Sequence, residues 1–420
     1  MKGIAASLLA ALLAAGLVLG TSLARAGDGM KKVAFKSKIT HVQPLAGLVL
    51  WTDNEHVATA PIQLEFAYMK YSDVVSKRGE YDWAPLEKVL DAVAKRGHQL
   101  IPRFAFVKPG EKTTVPAYIK ALAGYEETKG ESEKKVTWFP DWRHEELRRF
   151  TKEFNEKLAA KYDADPRLAY VETGFGLWAE WHIYDGPLEL GRTFPDRAFQ
   201  GEFLRHVTKV FEKTPVLISV DATDEETGPF VKDRSLLELS FGAFDDSLLQ
   251  KEHATENMKK WQAIGRDRFL RAPAGGELSY ASEHDQKHAL DAKGPHGESF
   301  VQLAKKLGLT FAIANDQLAH QKAERVKEAG LACGHRFRVA AFEASPTASR
   351  VTIENTGVAP LHHDAWIAVN GVRASTSLRG LAPGTRRAFD VSKGGPPHKL
   401  SIASAKLVRG QEIELEADLP

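Results

Sequence analysis

The segment DWAPLEKVLDAVAKRGHQLIPRFAF, Asp82 to Phe106, holds one repeat of the fold. Asp82 is a helix-capping residue type, and Pro85 falls in the first turn. Leu86, Val89, Leu90 and Val93 recur on one helical face, and Gly97 stops the helix. HQLIPRFAF (98–106) then reads as an apolar strand. IQLEFAYMKY (62–71), upstream, reads as a strand with alternating character. A strand, an amphipathic helix and a second strand make a parallel crossover unit.

The same unit recurs in both directions. Further strands are expected at 46–51, 168–176, 215–220, 236–242, 269–280 and 309–315. Helices are expected at 143–162, 196–213, 254–266, 298–308 and 317–330. Eight such strands predict an α/β chain folded as a (β/α)8 TIM barrel. A doubly wound sheet would need a glycine-rich phosphate loop after an early strand, and neither of the first two strands is followed by one. Beyond residue 335, short strands alternate with turn signals, Asn370-Gly371 among them. That pattern predicts a small all-β sandwich over 336–420, after a barrel over 27–335.

Residues 1–26 have the layout of a secretory signal peptide. Lys2 precedes an apolar run, and Ala24-Arg25-Ala26 fits a small-x-small cleavage site after Ala26. The expected product is secreted or periplasmic, with no integral membrane span. Loss of Lys2 and Arg25 would cancel the formal charge of +2. Such a balance gives no general pull toward nucleic acid. A single cysteine, Cys333, leaves no internal disulfide to form.

Barrels of this type keep reactive groups at the C-terminal ends of their strands. That filter keeps Trp51, Tyr68, Arg103, Asp221 and Tyr280, along with Asp53, Glu65, Asp245, Asp246, Asn315 and Asp316. VETGFGLWAEWH (171–182) adds Trp178, Glu180, Trp181 and His182, and Glu277 follows Gly275-Gly276. Two carboxylates across an eight-strand ring can flank one glycosidic bond, one as acid and one as nucleophile or base. Aromatic neighbours desolvate Glu180 and offer faces to sugar rings.

Glu180 and Glu277 are thus the catalytic candidates. Trp51, Tyr68, Arg103, Trp178, Trp181, His182, Asp221 and Tyr280 are the substrate-binding candidates. In a continued strand, a spacing of three turns Trp178 and Trp181 to opposite faces, so one of them meets the core. Arg103 is expected either to bind a substrate carboxylate or to hold Glu180 ionised. Asp245-Asp246 reads as a solvated loop and His362-His363-Asp364 as a turn. KGESEKK, at the end of a long polar insert (107–135), reads as a solvated loop. No metal-ligand spacing and no cofactor motif stands out.

EYDWAPLEKVLDAVAKRGHQLIPRF, RLAYVETGFGLWAEWH, GGE and IENTGVAP together resemble the bacterial family catalogued as domain of unknown function 4832. The resemblance runs over residues 45–370, and Gly176, Trp178, Glu180, Trp181 and His182 match its G-x-W-x-E-W-H segment. It implies a glycoside-hydrolase-like barrel followed by a β-sandwich. The placement of Glu180 and Glu277 is also similar to that in clan A glycoside hydrolases. That similarity implies an acid/base on strand four and a nucleophile on strand seven. The chain departs from that clan at Ala179, where an asparagine that binds the sugar 2-hydroxyl normally stands.

The expected function is an exported glycoside hydrolase acting on a polysaccharide or oligosaccharide without a cofactor. The alternatives are a non-catalytic carbohydrate-binding protein of the cell envelope on the same barrel, and an interaction protein that docks through its β-domain.

Overall fold

The structure, a computed structural model, describes residues 29–420. The signal-peptide reading and its cleavage point at Ala26 lie outside the described residues. Among the described residues, no helix is long and apolar enough to cross a membrane.

Eight parallel strands close into a barrel. They are β1 (Gly47–Trp51), β2 (Leu64–Met69), β3 (Gln99–Phe104), β4 (Val171–Thr173), β5 (Val216–Ser219), β6 (Gly242–Leu248), β7 (Ala274–Leu278) and β8 (Phe311–Ile313). Neighbours follow sequence order, and β8 closes on β1 by pairing Phe311 with Gly47 and Ile313 with Val49.

Alternation along each strand divides the core in two. Leu48, Leu50, Leu100 and Phe104 face the helices, and Val49, Leu64, Phe66, Ile101 and Phe311 fill the barrel. The helix Ala84–Lys95 buries Leu86, Leu90 and Val93. Glu145–Tyr162 buries Leu147, Phe150, Phe154 and Leu158. Each such side chain contributes about 1.5–3 kcal/mol by leaving water.

Strand six is displaced from its expected place. RSLLE (234–238) is a 3-10 turn capped by the Asp233 side chain, and the strand runs over 242–248. Asp245 and Asp246 therefore lie in a barrel strand, and the solvated-loop reading is corrected. The KGESEKK reading is corrected too: Thr128–Ser132 and Lys135–Phe139 pair as a hairpin with Glu133 at its tip.

The C-terminal region holds a six-stranded and a three-stranded sheet with a shared apolar cluster, compatible with a sandwich. Asn370 and Gly371, both at positive φ, join Trp366–Val369 to Val372–Arg373 as the turn signal implied. The expected boundary at 335/336 is too simple. Lys31–Lys32 and Phe35–Ser37, assigned to the barrel from sequence, pair instead with Phe337–Ala344 and Leu415–Leu419.

The apolar cluster of the barrel interior runs without a break into these sheets. Tyr170 stacks on Phe311 inside the barrel and meets His363 from below. His362 and His363 are buried at this floor, not held in an open turn. Lys406 reaches the segments that lead into β4 and β5 and donates to the carbonyls of Asp163 and Asp165 and to the Thr214 hydroxyl. We expect Lys406→Ala to destabilise the chain by about 1–3 kcal/mol, because it strands buried acceptors. An unchanged urea midpoint would show that this anchor contributes nothing.

Candidate active site

Inward alternation carries polar side chains to the top of the barrel. Val49 is followed by Trp51, Phe66 by Tyr68, Ile101 by Arg103, Tyr170 by Glu172 and Phe244 by Asp246. Glu277 is reached in the same way on β7. Just before it, a Cβ on Gly275 would lie 2.2 Å from the Phe311 ring, so the glycine leaves room for that ring.

Glu180 does not continue β4. The chain leaves Thr173 and folds into a tight turn. The amides of Phe175 and Gly176 donate to the Glu180 carbonyl, and the Leu177 amide donates to that of His182. Trp178 and Ala179 take positive φ, at 55° and 59°. A Cβ on Gly176 would lie 1.8 Å from the His182 carbonyl oxygen. The turn sets the two tryptophans apart. Trp178 lines the cleft and donates its ring N–H to Glu133 and Tyr184. Trp181 is fully buried, packs on Phe175 and donates to the Thr173 carbonyl. Its reading as a substrate contact is corrected.

A cleft of about 930 Å³ opens above the barrel. Glu180, Glu277, Trp51, Tyr68, Trp178, His182, Asp221 and Tyr280 all line it. Trp51, Tyr68 and Trp178 make a continuous aromatic wall, with successive ring centroids 5.8 and 5.5 Å apart. Arg103 does not reach the cleft. It is fully buried and bridges Glu172, through Nε at 2.7 Å, and Asp246, through Nη1 at 2.5 Å. Both expectations for it, a substrate carboxylate or Glu180, are therefore corrected.

Glu180 is paired instead with His182, whose Nε2 lies 2.5 Å from its Oε2. His182 Nδ1 is 3.5 Å from Asp221, and Lys260 Nζ is 2.5 Å from the same Asp221 oxygen. Burial raises the Glu180 carboxyl to about 7, although His182 opposes the rise. Burial depresses His182, but Asp221 and Glu180 outweigh it and bring the ring to about 9. Burial also raises Asp221, yet His182 and Lys260 hold it down at about 2. Glu277 is held well above the carboxylate range, first by burial and then by the charge of Asp246, with Arg103 opposing.

Glu180, His182 and Asp221 offer atoms within 4.8 Å of one another, the spacing of a metal-ligand set. Those atoms already serve a carboxyl–imidazole–carboxylate–ammonium chain that ends on Lys260.

The strand-end filter missed Glu133, Tyr184, Asn257 and Lys260, which also line the cleft. Glu133 and Tyr184 lie on excursions far from any barrel strand end. Asn257 and Lys260 come from one face of the helix Ala254–Ile264. Their i, i+3 spacing was the one signal available.

Two substitutions test this architecture. Arg103→Leu would leave Glu172 and Asp246 buried without a counter-charge, at a cost of about 3–5 kcal/mol. Gly176→Ala should lower the melting temperature and remove ligand binding together, since the turn that presents Glu180 has no room for a methyl group. Wild-type melting of either variant would refute the role given to that residue.

No family model matches the sequence, and no curated protein matches it. Among solved structures the chain is similar to endo-glycoceramidase II from Rhodococcus sp., at 10% identity and TM-score 0.42, covering 85% of this chain and 100% of that one. It is similar to the glycoside hydrolase family 30 subfamily 8 xylanase from Clostridium acetobutylicum, at 8% identity and TM-score 0.40, over 85% and 97% of the two chains. It is also similar to the catalytic domain of a β-amylase from Paenibacillus polymyxa, at 9% identity and TM-score 0.41, over 70% and 97%.

Proposed function

We propose that the chain is an exported glycoside hydrolase acting on a polysaccharide or oligosaccharide, related to the family of domain of unknown function 4832. One observation carries the reading: two glutamates from opposite sides of the barrel, the partly buried Glu180 and the buried Glu277, face one aromatic-walled cleft. Glu180 is the acid/base. Near neutral pH it holds a proton that it can give to the leaving oxygen, and His182 keeps its carboxyl in place. Glu277 is the nucleophile or the base, acting in its ionised form. Trp51, Tyr68 and Trp178 supply ring faces for the sugar.

One observation favours the second reading, a non-catalytic carbohydrate-binding protein of the envelope. Burial, with the charge of Asp246 added, holds the Glu277 carboxyl well above the carboxylate range, which favours the form that cannot attack. Hydrolysis of a panel of polysaccharides and activated glycosides separates the two. We expect Glu180→Gln and Glu277→Gln each to lower turnover by about 100-fold or more. Binding without turnover by wild type would select the second reading, and turnover unchanged in both variants would reject the assignment of these residues.

The pH profile follows from the sign of the Glu180 shift. Rates should fall as pH rises through about 7, because the proton donor is then lost. His182 lowers the Glu180 pKa, so His182→Ala should move this falling limb to higher pH. A limb that stays put would remove His182 from that role.

A further inference from the structure

We infer that the cleft is built for a saccharide carrying free ammonium groups, an oligomer of unacetylated hexosamine, in preference to a neutral or uronic sugar. This inference rests on the carbohydrate reading above and names the substrate class for the same site.

The first observation is the sign of the charge. The whole chain is nearly balanced, with 57 Lys and Arg against 55 Asp and Glu. The cleft is not. Glu180, Asp221, Asp245, Asp246, Glu277 and Asp316 all line it, and Lys260 is the only lysine or arginine among the described lining residues. Lys260 is taken by Asp221, and Arg103 lies beneath, taken by Glu172 and Asp246. Asp245, Glu277 and Asp316 form no ion pair among the described residues. Asp245 accepts hydrogen bonds only from neutral groups, on Ser247, Asn257 and Trp261. A uronate would find Lys260 already taken, and the arginine that could have received it is out of reach.

The second observation is independent of the charge count. Glu277 is buried, lines the cleft, and its Oε1 has no hydrogen-bond partner. A buried carboxyl oxygen left unmatched is costly unless a ligand completes it. An ammonium donates in three directions and supplies the charge that Glu277 and its acidic neighbours lack. Lys108 Nζ lies 4.3 Å from the centroid of Tyr68 and 5.6 Å from that of Trp178, so these two rings already hold an ammonium of the chain and the ligand's ammonium is assigned to Glu277.

The inference also bears on Glu277. Its carboxyl is held well above the usual range first by burial and then by the charge of Asp246. A bound ammonium favours the ionised carboxylate, the form the reaction needs, so binding should release a proton.

The test is calorimetric titration of the full chain with oligomers of glucosamine and of galactosamine, against their N-acetylated counterparts and a neutral glucan oligomer. At mildly acidic pH we expect the amine forms to bind at least about tenfold more tightly. That preference should shrink as salt rises, and binding should release protons into the buffer. Asp316→Asn should weaken binding of the amine forms and leave the neutral ones unchanged. Equal affinity for acetylated and free-amine oligomers would overturn the inference and leave the carbohydrate reading intact. Failure of every saccharide to bind, with no hydrolysis across the wider panel, would overturn both. Tight binding of calcium alone, excluding the amine oligomers, would replace the inference with a metal site.

Discussion

The Arg103 guanidinium is the element on which the upper half of the barrel depends. It projects from β3 into the barrel, lies 4.2 Å from the centroid of Phe244, and ties β4 through Glu172 to β6 through Asp246. Two buried carboxylates without it would face the full cost of desolvation. With it, one guanidinium answers two acids just below the cleft. The same guanidinium opposes the upward shift of Glu277 without cancelling it. A barrel filled only by Phe66, Ile101 and Phe311 would be easier to bury. It would also have no field at its mouth.

The Glu180 turn converts that field into an arrangement. A regular continuation of β4 would send alternate side chains in and out, and Glu180 would be placed by register alone. Gly176 instead lets the backbone fold onto the His182 carbonyl, and the left-handed pair Trp178–Ala179 reverses the chain. Trp178 is thereby turned to the cleft and Trp181 to the core. His182 comes back beside Glu180 and within reach of Asp221. Backbone strain of this kind costs of order 1–3 kcal/mol per residue and persists where the surroundings over-determine it. The bonds from Trp178 to Glu133 and Tyr184 and from Trp181 to Thr173 hold this segment from both sides.

The barrel was legible in the sequence because its signals are local and repeated. Leu86, Leu90 and Val93 mark a helix without any tertiary knowledge, and β2 and β3 announce themselves as short apolar runs. Alternation was enough to put Trp51 and Tyr68 at the barrel mouth. What stayed hidden depends on partners far away in sequence. Arg103 looks like a substrate ligand until Glu172 and Asp246 are seen on either side of it. Glu133 sits in a lysine-rich run that any composition rule assigns to solvent, yet its hairpin folds over Trp178. The strand at 242–248 begins with the residue where a more apolar expected strand ends, and its Asp245 and Asp246 argue against burial until their partners are known. Lys31–Lys32 and Phe35–Ser37 were too short and too polar to reveal that they complete a sheet formed some 300 residues later.

Uncompensated acids at the barrel mouth weaken the fold there, so stability has to come from the opposite end. The floor is suited to this. The interior cluster continues past Tyr170 and Leu45 into the C-terminal sheets, so the barrel does not end at a solvated layer. His335, His362 and His363 are buried in this region with ring nitrogens that have no protein partner, and burial lowers the pKa of each. Neutral rings act there as apolar filling, whereas protonated ones would destabilise the floor. Their folded values lie below the unfolded ones, so stability is lost as pH falls through the unfolded histidine range and below. Acid therefore acts on the two ends in opposite senses: it discharges the carboxylates at the mouth while it charges the histidines at the floor. The C-terminal sheets are thus part of the barrel's thermodynamics, and the polar mouth and apolar floor are two halves of one design.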